Sequence, residues 1–329
     1  MNLSWLFKYP NVVGFSRELK PKIVNGKETE IESVRVYVEK KLPESELKKT
    51  DIIPKEVAGI PTDIIEVGKI EALILMTVER SKTDRIRPLE AGISIGNWNI
   101  TAGTLGWYFE DNKGNIYFGS NAHVFCENPT KEKQNEVRIV QPGRYDGGKL
   151  PDDLVARLYW YQRVYLEYQQ SNCKVAKAVA GIYNSLAKLF GARTRLIPIV
   201  SEYNYIDFAV TKPVKGIEYS ITAFDFIPSG EFVGLAFAGS PKVSCICKAK
   251  YIVETGYRPV EAEVVEVTEG VIVEKSGRTT CHTRAKVIDA SAVVRVWYGN
   301  GFAVFDDIIL TEKMLEGGDS GSSVWVVVE

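Results

Sequence analysis

Histidine is almost missing from this chain: its 329 residues include only His123 and His282. Any acid–base chemistry that needs an imidazole therefore has two candidates. Cysteine is scarce and odd in number. Cys126, Cys173, Cys245, Cys247 and Cys281 lack zinc-site spacing, because Cys245 and Cys247 have no second pair of ligands nearby. They read as reduced thiols, mostly buried, rather than as a disulfide framework. No apolar run approaches the roughly 20 residues of a membrane-spanning helix. Neither sign of charge dominates, with 41 Lys and Arg against 42 Asp and Glu. The net charge of −1 points to neither nucleic acid nor an anionic membrane as partner. The opening Met-Asn-Leu-Ser-Trp-Leu-Phe-Lys-Tyr-Pro lacks the charged start, long apolar stretch and small-residue cleavage site of a secretory signal.

What is present suits one large or two modest globular domains: 45% of residues are hydrophobic and 25% charged. Residues 1–72 read as a small α/β unit. Strands are expected at 12–15, 34–38 and 64–67, a hairpin turn at Asn25-Gly26, and a helix start at Pro43-Glu44-Ser45-Glu46-Leu47. Residues 73–329 form a second, strand-rich region. Strands fill 92–125, with a turn at Asn112-Lys113-Gly114-Asn115. Pro151-Asp152-Asp153 reads as a helix start, followed at helical spacing by Leu154, Leu158, Tyr161, Tyr165 and Tyr168. Val175, Val179, Ile182, Leu186 and Leu189 repeat that spacing after Ser171-Asn172, so a helical hairpin is expected as an insertion at about 151–190. Strand-like runs resume at 231–238, 244–253, 262–274, 284–297 and 302–310. Many short strands point to barrels or a sandwich.

Three local motifs carry chemistry. Gly317-Gly318-Asp319-Ser320-Gly321-Ser322 reads as a strained turn presenting one hydroxyl. The N–H groups of Gly318 and Ser320 could converge there as an oxyanion hole. His123 lies in Asn121-Ala122-His123-Val124, and Asp207 in Tyr205-Ile206-Asp207-Phe208-Ala209-Val210. Each alone has a plain structural reading: a capped hairpin, a core histidine, a turn residue before a strand. Together, in the order His, Asp, Ser, they supply a base, its orienting carboxylate and a nucleophile. The other histidine, in Thr280-Cys281-His282-Thr283, reads as a strand-surface residue.

The set resembles the chymotrypsin-like (trypsin-like) serine peptidases, and most closely their microbial and viral intracellular branch. The Asn-Ala-His-Val run, the Tyr-Ile-Asp-Phe-Ala-Val strand and the Gly-Gly-Asp-Ser-Gly-Ser loop carry the likeness. Gly103-Thr104-Leu105-Gly106 and Lys275-Ser276-Gly277-Arg278-Thr279-Thr280 add to it, and it covers about residues 70 to 329. The resemblance implies two β-barrels with His123, Asp207 and Ser320 in the cleft between them, hydrolysing peptide bonds through an acyl-enzyme, with no cofactor and no metal. It implies a protein or peptide substrate. Secreted relatives usually carry disulfides, so the expected location is cytoplasmic or virion-associated. Relatives continue beyond the nucleophile with two strands and a helix, yet only seven residues follow Ser322 here. A segment like the missing one lies earlier, at 233–240. The resemblance therefore implies a permuted second barrel, with Phe237, Ala238 and Gly239 binding substrate backbone beside Ser320. Met314, six residues before the nucleophile, falls at the base of the specificity pocket, where it would favour an apolar or small side chain. Lys22-Ile23-Val24-Asn25-Gly26 looks like a zymogen cleavage site, but the hairpin reading is preferred. Two alternatives stand beside the endopeptidase: a catalytically silent binding or assembly module, and an esterase. Against the esterase, the chain lacks a Gly-X-Ser-X-Gly elbow and the order Ser, Asp, His.

Overall fold

The computed structural model describes residues 3–72, 82–130, 136–200, 203–228 and 230–327. Runs rich in β-branched and aromatic residues become strands, and the strands close into two barrels. Five strands come first: β1 (Val12–Ser16), β2 (Lys20–Val24), β3 (Lys27–Val38), β4 (Glu56–Val57) and β5 (Ile60–Glu66). Seven build the first barrel: β6 (Ser94–Asn97), β7 (Gly103–Thr104), β8 (Trp107–Glu110), β9 (Ile116–Ser120), β10 (Arg138–Val140), β11 (Leu154–Tyr161) and β12 (Ala209–Pro213). Six build the second: β13 (Glu231–Gly239), β14 (Val243–Lys248), β15 (Ile272–Gly277), β16 (Cys281–Trp297), β17 (Phe302–Glu312) and β18 (Ser323–Val326). Three α-helices are described: α1 (Ala122–Phe125), α2 (Lys174–Leu189) and α3 (Ala249–Glu254). Among the described residues no helix is long and apolar enough to cross a membrane.

The first sheet runs β8-β9-β12-β11-β10-β6-β7. Its two ends are consecutive in the chain. Ser120 Oγ at the end of β9 donates to the Thr104 carbonyl of β7 at 2.7 Å, which brings the last strand back toward the first two. The second runs β15-β18-β13-β14-β17-β16 and returns to β15, a closed ring of six. Its ring order departs from its chain order. The two earliest strands, β13 and β14, sit between the two latest, with Phe232 opposite Trp325 and Ile246 opposite Ile309. Residues 233–240 thus run beside Ser320, as the sequence had led us to expect. Trp325 is fully buried, with its ring 4.7 Å from that of Trp107 and 5.2 Å from that of Phe232, so it ties the two barrels together.

The N-terminal strands extend the second barrel's sheet. Phe15 of β1 lies opposite Val293 of β16, and β3 pairs with both β1 and β5. Leu6, Val12, Phe15, Val36 and Val38 bury one apolar face with Val293 and Val304. The join is pinned by Asp307, whose carboxylate meets Arg17 at 3.1 Å, Lys248 at 2.6 Å and Lys250 at 2.9 Å, and accepts from Tyr251 and Ser291. Burial alone would raise its carboxyl, but these donors hold it below the usual range. A depressed folded-state value stabilises above the ordinary aspartate value of about 3.9 and is lost as pH falls toward the folded value. Asp307→Asn is therefore expected to cost about 2–4 kcal/mol at neutral pH. The deficit should shrink in acid, as read by urea denaturation across pH 2 to 7, about the range in which carboxylates titrate.

Two expectations are corrected. The stretch after Pro43 forms only a 3-10 turn, Glu44–Glu46, so the described N-terminal unit is β rather than α/β. Leu47 is the single apolar residue between 44 and 51, which leaves a helix there no face to bury. The helical hairpin is half right. Residues 174–189 are the helix α2, but 154–161 are the strand β11, paired on one side with β10 and on the other with β12. Leu-Val-Ala-Arg-Leu-Tyr-Trp-Tyr satisfies helical spacing, but its aromatic content suits a strand, and the two ladders decide.

Candidate active site

His123 sits in the first turn of α1, directly after β9. Asn121 caps the approach, its side-chain amide donating to the Asp207 carbonyl at 2.7 Å. Asp207 lies just before β12, the neighbour of β9 in the sheet, so adjacent strands deliver both residues to one end of the first barrel. His123 Nδ1 is 2.6 Å from Asp207 Oδ2, and the His123 backbone N–H donates to Oδ1 at 3.2 Å. Asp207 is fully buried and takes two further hydrogen bonds. The Tyr298 hydroxyl donates to Oδ2, and the Asp207 N–H donates to Cys247 Sγ at 3.3 Å. Burial pushes this carboxyl up, but His123, by charge and hydrogen bonding, and the Tyr298 hydroxyl outweigh it and hold it below the usual range. Burial, reinforced by the Asp207 charge, drives the Tyr298 hydroxyl and the Cys247 and Cys126 thiols the other way, so all three stay protonated beside the carboxylate. Among the described residues the buried His123 Nε2 has no hydrogen-bond partner.

Ser320 comes from the second barrel, on the turn between β17 and β18. Gly318 and Gly321 bracket it with φ of 95° and 94°, the left-handed region in which glycine is unstrained. A Cβ on Gly321 would stand 2.0 Å from Ser120 Oγ and 2.6 Å from the Thr104 carbonyl, so a larger residue would push the turn off the first barrel. Two bonds fix that contact: Thr104 N–H donates to the Ser320 carbonyl at 2.9 Å and Thr104 Oγ1 to the Gly318 carbonyl at 2.9 Å. Within the second barrel, Gly321 N–H donates to the Ala236 carbonyl at 2.8 Å. The Gly318 N–H donates to none of the described residues. Ser320 is 1% exposed, with Oγ 3.4 Å from the Phe237 carbonyl. A Cβ on Gly103 would collide with Val124 at 2.5 Å and approach the Ser320 carbonyl at 3.1 Å, so this glycine brings the histidine helix and the serine turn together.

Asp319 holds the turn from inside. Its Oδ1 accepts from the Thr279 and Thr280 N–H groups at 2.9 and 3.1 Å. Its Oδ2 accepts from Thr280 Oγ1 at 2.6 Å and from the Glu316 N–H at 2.9 Å. Its counter-charge is Lys275, with Nζ 3.3 Å from Oδ2 and both side chains sealed from solvent. Burial pulls the Lys275 ammonium below its usual range, and Asp319 opposes that pull. No cleaved amino terminus is needed. Ile23 lies in β2 opposite Glu28, and its N–H donates to Asp63 at 2.9 Å, as the hairpin reading expects.

The remaining named residues divide. Phe237 contributes its carbonyl beside Ser320. Ala238 and Gly239 continue that edge, but their backbone is paired antiparallel with Ala72 and Glu71. Met314 lies in the apolar core of the second barrel with Val233, Ile246 and Leu315, its N–H donating to Ser244 and its carbonyl accepting from Thr283. His282 is a strand-surface residue, stacked on Phe226 and bonded to Glu274 at 2.9 Å. Sequence reasoning missed Tyr298 and the role of Lys275. Lys275 stood inside a quoted motif, whereas the Tyr298-Gly299-Asn300-Gly301 stretch resembles any strand-end turn.

No protein-family model and no curated protein matches this chain. Among solved structures, the crystal structure of Nocardiopsis protease (NAPase) matches with a TM-score of 0.35 and 13% identity. The match covers 72% of this chain and 78% of that one. At that distance the roles of the site residues rest on their own geometry. The topology of this chain is mainly β, two curled sheets of which one supplies His123 and Asp207 and the other, a closed ring of six strands, supplies Ser320.

Proposed function

We propose that the chain is a serine endopeptidase. The observation that carries the reading is a histidine clamped through Nδ1 to a buried, multiply bonded carboxylate, with its Nε2 buried and unpartnered among the described residues and its helix held against the Ser320 turn at Gly103. In the proposed reaction Ser320 Oγ attacks the scissile carbonyl carbon as His123 Nε2 takes the hydroxyl proton. The Gly318 and Ser320 N–H groups receive the resulting oxyanion. Collapse breaks the C–N bond, the imidazolium gives its proton to the leaving amine, and water then hydrolyses the acyl-enzyme by the same steps in reverse. An extended substrate pairs with Phe237, Ala238 and Gly239 and in doing so takes the place of Glu71–Ala72. We read the early position of β13 and β14 in the ring as a permuted chymotrypsin-like second barrel that supplies that edge. Met314 is buried in the core of the second barrel and lines no described pocket, so the preference for an apolar or small side chain rests on the resemblance and not on this residue's position.

The test is hydrolysis of chromogenic peptides differing in the residue before the scissile bond, by the wild type and by Ser320→Ala. An initial burst of acylation, absent from the variant, is expected. The second reading is a silent binding or assembly module. It is favoured by the closure of the site: Ser320 is 1% exposed and the substrate edge carries the chain's own strand. No turnover of any peptide by a folded protein would select it.

A further inference from the structure

The helix α2 is turned inside out. Its only buried residues are Ala180 and Ala187, while Val175, Val179, Ile182, Leu186, Leu189 and Phe190 face solvent, the last two 77% and 81% exposed. A helix packed on its own protein hides its large apolar side chains and exposes its small or polar ones. Here the reverse leaves a continuous apolar stripe for another surface, and Leu196 and Ile197 on the returning chain extend it. The arm is a self-contained hairpin. Gln170 bridges Ile199, and Ser171 N–H bonds the Pro198 carbonyl at 2.9 Å. The Asn184 amide clasps the Leu196 backbone in both directions, at 2.9 and 2.8 Å. The apolar stripe is thus held outward by the arm's own bonds.

Charge decides what it meets. Between residues 168 and 201 the sequence has Lys174, Lys177, Lys188, Arg193 and Arg195 and no Asp or Glu. A second copy of the helix would bring like charge against like charge. The 4-3-4-3 spacing of the stripe also spans only about two heptads, short of the three or four a coiled coil needs. An anionic surface with an apolar interior complements both features at once. Trp5 and Tyr168, both exposed, line a cavity at the neck of the arm together with Ile199 and Lys8. Aromatic residues of that kind favour the headgroup boundary.

We propose that α2 and its return segment are a membrane-surface arm that docks the protein on anionic lipid. The stripe enters the headgroup boundary and the five cations lie over the lipid phosphates and carboxylates. The near-neutral charge of the whole chain conceals this arm, because the compensating acids lie elsewhere. This proposal is independent of the catalytic reading.

The test is co-sedimentation of the full chain with vesicles of phosphatidylcholine alone or with about one-third phosphatidylserine. Binding is expected only with phosphatidylserine, and it should weaken as salt screens the arm. Ile182→Glu/Leu186→Glu should weaken it by at least about tenfold, since two large apolar side chains are withdrawn from the boundary. Both side chains are exposed, so the melting temperature should not fall. Lys177→Gln/Lys188→Gln should lower binding to phosphatidylserine vesicles by about tenfold. Failure to bind these vesicles, or binding that Ile182→Glu/Leu186→Glu leaves intact, overturns the proposal. So does a solution dimer that the same variant converts to monomer in the absence of lipid binding, which assigns the stripe to a second copy.

Discussion

Alanine at His123 is expected to reduce peptide turnover by roughly 10⁴- to 10⁶-fold in kcat with little change in KM. The imidazole binds no remote part of a substrate and acts on the proton in flight, so its loss falls on the transition state. Asp207→Asn should cost about 10⁴-fold. An amide facing Nδ1 can donate where the carboxylate accepts, which places the remaining ring proton on Nε2 and removes the base. Tyr298→Phe should cost far less activity and about 1–3 kcal/mol of stability, since it removes one donor from a charged, buried acceptor that retains others. The order His123, then Asp207, then Tyr298 is the signature of the arrangement. Because the Asp207 carboxyl is held below its usual range, protonation of this carboxylate should not account for activity lost as pH falls to the ordinary aspartate value of about 3.9.

The second large effect is at Lys275. Lys275→Met leaves Asp319 sealed without its counter-charge, a loss of about 3–5 kcal/mol by analogy with other broken buried pairs. Four donors to Asp319 remain, so the carboxylate stays in place and the whole turn carries the uncompensated charge. Denaturant unfolding should show the destabilisation, and turnover should fall with it because Asp319 precedes Ser320, the proposed nucleophile. The double variant Lys275→Met/Asp319→Leu separates charge from shape. It should regain much of the stability, since an apolar pair can replace a buried ion pair. It should not regain activity, because the hydrogen bonds that shape the Ser320 turn are gone.

His123, Asp207 and Ser320 could be named from local motifs because each sits where a strand ends, and strand ends are marked by glycine, by small residues and by a break in alternation. The placement of 233–240 beside Ser320 was implied by the resemblance of Gly234-Leu235-Ala236-Phe237-Ala238-Gly239-Ser240 to a family strand, since its apolar character alone names no neighbour. The strand β11 could not be read, since Leu154, Leu158 and Tyr161 satisfy a helical period as well as a sheet, and only the flanking strands choose. Tyr298 and Lys275 were hidden for a related reason. Each acts through a partner 91 or 44 residues away, a pairing created by packing between the two barrels for Tyr298 and within the second barrel for Lys275. The occupied edge at Ala238 and Gly239 and the outward face of α2 are likewise tertiary facts, invisible to periodicity.

Covalent labelling with a fluorophosphonate, located by mass spectrometry in the wild type, Ser320→Ala and His123→Ala, tests the catalytic site most directly. The account predicts a single modified residue, Ser320, with labelling abolished by Ser320→Ala and strongly slowed by His123→Ala. A folded wild-type protein that takes up no label, or one labelled at another serine, would contradict it.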